Sequence, residues 1–493
     1  MDARVLLTDA RLPDGSVADV ALGGGRILAI RPAGADRRGT VDAIAGTTGT
    51  AGAARGASPR IVALDGRWLR PGLWDAHVHV AQWARSRGQL DVSGAASAAD
   101  VCAALAVAPE DGPLIAAGFR WAGWPSPPTL AALDAARAAP TVALSGDLHS
   151  AWVNSAAAAA LRLPRAGLLV EGDAFLAQRR LAGIDPDPIR GVDGAARAAA
   201  TRGVVGIVDL EFADNATAWS ARVADGVDLL RVEAGFYPDL LDARIAAGAT
   251  TGADVPGTRG LVRHGPLKVI SDGSLNSRTA HCLDPYDDGS RGVQNVAPEQ
   301  LAALLARARA AGIRAAVHAL GDAAVRIALD AFAATGARGT IEHAQLIADA
   351  DLPRFAALGV TASVQPAHAL DDREVAARLW PGRTGRAFPL RSLLDAGARV
   401  ALGSDAPVAP LDPWVAIAAA VHRADGDDAP WHPEQSLTVA EALACSARSR
   451  LAPGGPADLI ALDADPVIAD RATLRAMPVA LTLLGGRVTH DAR

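Results

Sequence analysis

The chain has 493 residues, half of them hydrophobic and 21% charged, with a formal net charge of -6. That length exceeds one ordinary domain and fits a large barrel with a smaller companion. The slight acidity and the lack of any basic run exclude nucleic acid and anionic membrane surfaces as expected partners.

The start, MDARVLLTDARLPDG, carries an Asp at once and no apolar h-region, so no signal peptide is expected. No apolar run is long enough to span a bilayer. Cys102, Cys282 and Cys445 are far apart and form no CxxC pair. They read as thiols in a reducing compartment, with the cytoplasm expected.

Residues 1–70 read as β-structure: VLLTDARL, VADVALGGGRILAI and RIVALDGRWLRP are short strands between Gly and Asp turns. Within them, 34–59 is rich in Gly, Ala, Thr and Arg without periodicity and is expected to be a flexible loop. Residues 71–450 repeat a different unit, a short apolar run ending in a polar residue and followed by a helical pattern. The runs are LWDAHVHV, VVGIVDLEF, LLRVEAGF, LKVISD, IRAAVH, TIEHAQ, VTASVQ and RVALGSD. In the helix after the fifth, Val325, Ala328, Leu329 and Phe332 share one face. Eight such units predict an α/β fold, a (β/α)8 TIM barrel. The stretch from about 85 to 200, with PLIAAGFRW and TVALSGDLHS, is expected to be a subdomain inserted after the first barrel strand, over the barrel mouth. Residues 451–493 return to short strands, ADLIALDADP and VALTLLGGRVTH. The two β-rich ends are expected to build one small β-sandwich.

Active sites of such barrels lie at the C-terminal strand ends. Those ends carry His77, His79, Lys268, His318, His343 and Asp405. His77 and His79 form an HxH pair whose side chains face one way on a strand. A single strand-end His is more often a hydrogen-bonded core residue, and a lone Asp405 could cap the next helix. Six such residues at matched barrel positions argue for a metal site. Lys268 is the only lysine among 48 Lys and Arg residues. Arginine replaces lysine as a charge but not as an amine, so its retention points to amine chemistry, with chance as the alternative.

The segments PGLWDAHVHV, GDLHSAWVNS, LKVISDGSLNSRTA, VHALGD, IEHAQLI, SVQPAHALDD, ALGSDAPV and PADLIALDADP resemble the amidohydrolase superfamily, in its amidohydrolase-3, YtcJ-like group of metal-dependent hydrolases. The resemblance covers nearly the whole chain. It implies two divalent ions, with zinc expected and a single ion as the alternative. His77, His79 and Asp405 would hold the first, His318 and His343 the second, and a carboxylated Lys268 would bridge them. It also implies attack by metal-bound hydroxide on a non-peptide carbon–nitrogen bond, with Asp405 as general base and proton carrier. The expected substrate is a small amide-type molecule such as an N-acyl or N-formyl amine. A deaminase or cyclic amidase on the same scaffold is the alternative, and a non-catalytic metal-containing binding protein is the rival of another class. A homodimer is compatible with this reading. One departure is a shortened connection near 450–456, where Pro456 stands in place of a common lysine.

The same pattern puts GDLHSAWVNS over the active site. His149 is expected to contact the substrate or act with Asp405 in catalysis, capping the helix near Ser150 being the alternative. Trp152 and Asn154 are candidate substrate contacts, a buried Trp with a satisfied N–H being as good a reading. His368, in a QPxH pattern, reads as a substrate contact or a support. Asp272 and Arg278 read as residues that orient the loop after Lys268. Trp83, Trp121 and Trp124 suggest an aromatic-lined pocket or ordinary core packing.

Overall fold

The computed structural model describes residues 4–34, 59–109, 112–181, 184 and 188–493. Most of the loop expected at 34–59 lies outside these residues. Five N-terminal strands come first: β1 (Val5–Arg11), β2 (Val17–Gly23), β3 (Arg26–Pro32), β4 (Arg60–Ala63) and β5 (Trp68–Pro71). β6 (Leu73–Val78) opens the barrel. The insertion carries β7 (Leu90–Asp91), β8 (Leu114–Phe119), β9 (Thr141–Ser145), β10 (Ser150–Val153) and β11 (Gly167–Val170). The barrel resumes with β12 (Val204–Asp209), β13 (Arg231–Phe236), β14 (Val262–Ile270), β15 (Ala315–Ala319), β16 (Gly339–His343), β17 (Thr361–Val364) and β18 (Arg399–Leu402). The tail supplies β19 (Leu459–Leu462), β20 (Val479–Leu484) and β21 (Arg487–Asp491).

The eight expected runs all become barrel strands, ordered β6-β12-β13-β14-β15-β16-β17-β18 and parallel throughout. The ring is brought together between β18 and β6, where Asp405 N–H donates to His77 O at 2.8 Å and His79 N–H to Ala406 O at 2.9 Å. A side chain at Gly403 would put its Cβ 2.9 Å from the His77 nitrogen; glycine alone permits this approach.

Helices cover the barrel because their apolar stripes need a surface. Helix Asp322–Thr335 buries the predicted face of Val325, Ala328, Leu329 and Phe332, and each of the larger side chains contributes about 1.5–3 kcal/mol. It ends at Gly336, whose φ of 63° is the left-handed C-terminal stop.

The chain ends join in one eight-stranded sheet, β21-β20-β19-β5-β1-β2-β3 with β4 beside β1. Leu7, Val20, Leu69, Leu459 and Leu481 share its apolar cluster, so neither terminus can complete this core alone. The shortened connection docks on the same sheet: Pro456 bridges Arg26, and Ile27 N–H donates to Gly455 O at 2.8 Å. The insertion forms a five-stranded sheet, β11-β10-β9-β8-β7. Its loop reaches the barrel mouth, where Ser274 Oγ donates to Asp147 Oδ2 at 2.5 Å. Among the described residues, no helix is long and apolar enough to cross a membrane.

Candidate metal centre

His77 leaves the end of β6 with both ring nitrogens committed to the barrel interior. Its Nδ1 is 2.8 Å from Glu342 Oε2. Its Nε2 lies 3.0 Å from Lys268 Nζ and 3.3 Å from Asp405 Oδ1. His79 Nε2 is 3.4 Å from that same carboxylate oxygen. The HxH pair therefore converges on Asp405, and one ligand atom from each of the three lies within 4.8 Å of the others. All three residues are buried.

A second group meets the first at Asp405 and comprises His343, His368 and Asp405. His343 lies with its ring centroid 5.0 Å from that of His77 and 4.5 Å from that of His318. His368 stacks on it at 6.2 Å. The structure thus groups His368 with His343 and Asp405, where the sequence had suggested a substrate contact or a support. His318, expected as a ligand, points its Nε2 at Gly273 O, 3.1 Å away, and lies 3.4 Å from Asp272.

The donor set fits a divalent cation. Burial lowers His77, with Lys268 adding to the effect. Burial likewise holds His318 and His343 well below the usual imidazole range. Burial thus favours the neutral form of these three rings, the form that ligates metal. Burial alone would raise Asp405, but His77, His79 and His343 hold it well below the usual carboxylate range. Among the described residues, the buried nitrogens His79 Nδ1, His343 Nδ1 and His368 Nε2 have no hydrogen-bond partner. Orphaned nitrogens of this kind are costly unless something binds them. Burial pushes the Lys268 amine down to about 8.

Backbone strain helps assemble the set. His343 has φ 69° and Asp405 φ 56°, in the left-handed region that costs an ordinary side chain energy. On a regular strand, Glu342 and His343 would face opposite ways. The turn of the chain at His343 lets both approach His77.

One supporting residue, Asp75, carries no sequence signal of its own. Asp75 Oδ1 accepts from His77 N–H at 3.1 Å and Ser404 N–H at 2.9 Å, tying β6 to the loop that carries Asp405. Asp272 accepts from the backbone of Leu320, Gly321 and His281 at 2.9–3.0 Å. It orients the loops after β14 and β15. Arg278 turns away, 3.8 Å from Asp287.

His149 enters from the insertion. Its ring is 5.4 Å from His318 and meets Phe175 edge-on at 5.2 Å. Its Nδ1 is 3.1 Å from Glu171 Oε2. Burial alone would lower this imidazole, but Glu171 outweighs it and raises the group to about 9. Ser277 and Thr279 hydroxyls donate to Glu171 in turn. Phe175, Phe212 and Tyr237 wall the cavity shared by His77, His149, Lys268 and Asp405.

Two expected contacts do not reach this cavity. Trp152 Nε1–H donates to Thr129 O at 3.1 Å, and its ring packs with Phe119 and Leu133. Asn154 donates to Arg137 O and Ala139 O and accepts from Thr141 and Ala157 N–H groups. Both are drawn away because β10 buries them in the insertion's own core. The tryptophans proposed for the pocket are also elsewhere: Trp121 and Trp124 pack in that core, and Trp83 lies against the helices outside β6. Asn154→Ala is expected to cost about 1–3 kcal/mol of stability, read by urea unfolding, and to leave kinetic constants unchanged.

The chain is similar to the YtcJ protein of Bacillus subtilis (strain 168), at 31% identity over 47% of this chain and 48% of that protein. It is 30% identical to an N-substituted formamide deformylase of Arthrobacter pascens over 47% of this chain and 46% of the enzyme. The matched stretch spans about half the length of each. An uncharacterized metal-dependent hydrolase of Pyrococcus horikoshii shares the fold, with a TM-score of 0.76 at 24% identity, covering 95% of this chain and 99% of that one. A model of the amidohydrolase family matches residues 60–490, the whole barrel with its insertion, and by that match the chain belongs to the amidohydrolase family.

Proposed function

We propose that the protein is a metal-dependent hydrolase that cleaves a non-peptide carbon–nitrogen bond in a small N-acyl amine, with N-formyl amines foremost. The observation that carries this reading is Asp405, whose carboxylate lies 3.3 and 3.4 Å from two imidazoles, His77 and His79, in a buried cavity.

His77, His79 and Asp405 would hold one divalent ion, zinc being the expected one. His343 would hold the second, together with His368 or His318, and Lys268 would lie between the two. Such ions supply Lewis-acid polarisation of an amide oxygen and a water of lowered pKa. Asp405 would take a proton from the attacking water and return it to the leaving nitrogen. His149 is cationic near neutral pH and anchored by Glu171. It would donate to the carbonyl oxygen as negative charge develops there. Phe175, Phe212 and Tyr237 favour a small, apolar acyl group over a charged one. The similarity to a formamide deformylase supports the formyl end of that range.

The test joins elemental analysis to turnover. Protein grown with zinc is expected to carry about two ions per chain and to release formate from N-formyl amines, and chelation should abolish both. Protein that stays free of metal after reconstitution, or metal-loaded protein inert toward every N-acyl and N-formyl amine, overturns the reading.

A further inference from the structure

The end of the barrel opposite Asp405 is open. A cavity of about 1050 Å3 lies among the N-terminal ends of the strands, reaching from Trp74 and Ala76 on β6 round to Arg399 and Ala401 on β18. Barrel interiors are ordinarily filled by layers of bulky branched side chains. Here Ala76, Ala315 and Ala401 stand in the wall and leave the space.

The charge around this cavity is unbalanced. Arg314, Arg338, Arg399 and Arg448 line it against two carboxylates, Glu233 and Glu342. Both carboxylates are already matched, Glu233 by Arg448 at 2.6 Å and Glu342 by His77 at 2.8 Å. Arg399 gives one nitrogen to Gly359 O at 2.7 Å. The guanidinium groups of Arg314 and Arg338 have no hydrogen bond or ion pair among the described residues. Strand register gathers these cations on one arc: Arg314 and Arg338 directly precede Ala315 and Gly339, which pair across β15 and β16. Arg399 pairs with Thr361, which pairs with Thr340.

Deeper in, Ser363 and Ser446 also line the cavity. They are 1% and 2% exposed, and neither hydroxyl has a hydrogen-bond partner among the described residues. Such groups are costly in a native interior unless a ligand completes them.

We propose that this cavity is a second ligand site, separate from the metal centre, for a free organic anion with an apolar body. The carboxylate, phosphate or sulfonate head sits on Arg314, Arg338 and Arg399, whose forked donors suit such groups. The body lies against Val400 and Leu402, within reach of the two serine hydroxyls. The volume lies just above the usual range of small-molecule pockets, about 300–1000 Å3.

The probe is anilinonaphthalene sulfonate, titrated by fluorescence into the metal-loaded full chain at low salt. Saturable binding is expected, weakening as salt rises. Arg314→Glu/Arg338→Glu should raise Kd at least ~10-fold, which is about 1.4 kcal/mol. Both side chains are exposed, so the fold should persist, and a thermal melt checks this. Ser363→Leu, which fills the interior, should weaken binding independently of charge, while Arg197→Glu on a distant helix should not. Absence of saturable binding, or equal affinity in the parent and the double variant, overturns the proposal.

Discussion

Asp405→Asn is expected to lower kcat for an N-formyl amine by ~10²–10⁴-fold, the span that a positioned proton carrier contributes. The amide keeps the shape of the carboxylate and one ligating oxygen, but it cannot take a proton from water. The backbone at Asp405 has φ 56°, a region that Asn tolerates as well as Asp. The fold should therefore survive, and the loss should fall on chemistry. kcat and kcat/KM should drop together, the signature of an interaction made only in the transition state. Metal content measured on the same preparation separates a lost ligand from a lost base. Parent-like turnover with full metal content would remove Asp405 from the proton path.

The barrel was legible because each strand announces itself locally: an apolar run, a polar terminus, then a helical stripe. The insertion was less so. PLIAAGFRW and TVALSGDLHS became β8 and β9, but β7 has only two residues, Leu90 and Asp91. So short a strand carries no periodic signal. Its place is set by pairing with β8 at Ala116 and Ala117, a non-local contact. The joining of the two termini was visible in composition, whereas the strand order, with β5 between β1 and β19, was not.

The metal-site candidates were legible for a related reason. Strand ends of a barrel converge, so topology alone makes neighbours of the chemistry-bearing residues found there, and His77, His79, Lys268, His343 and Asp405 do meet. Glu342 was missed because strict alternation puts it on the face opposite His343, and the φ of 69° at His343 cannot be read from the dipeptide. Glu171 was missed because its partner, His149, is reached only by folding β10 against β11. Trp152 and Asn154 were read as candidate contacts, with a buried Trp of satisfied N–H as the other reading. They share a motif with His149, but the strand that starts at Ser150 carries them into a different core.

Lys268→Arg is expected to be as damaging as Lys268→Ala, with kcat/KM down by at least ~10²-fold, the upper end of what a metal site loses with one supporting partner. Bound metal should fall from about two ions per chain toward one. A role as a simple buried cation predicts the opposite, since arginine keeps the charge. The geometry favours the amine. Lys268 Nζ is 3.0 Å from His77 Nε2, and the residue is 2% exposed. A cation pressed against an imidazole that must stay neutral to ligate is unfavourable. Addition of carbon dioxide to the neutral amine forms an N–C bond, releases one proton and replaces the positive charge with a carboxylate bearing two oxygens. Those oxygens would give the site two further ligand atoms for divalent ions, and a guanidinium cannot undergo this addition. Protein exchanged with carbon-13 bicarbonate should show a carbamate resonance that Lys268→Arg lacks. Added short-chain carboxylic acids should restore part of the activity of Lys268→Ala, whose cavity admits them, but not of Lys268→Arg, whose side chain fills it. Full metal content and parent activity in Lys268→Arg would leave the amine without a role.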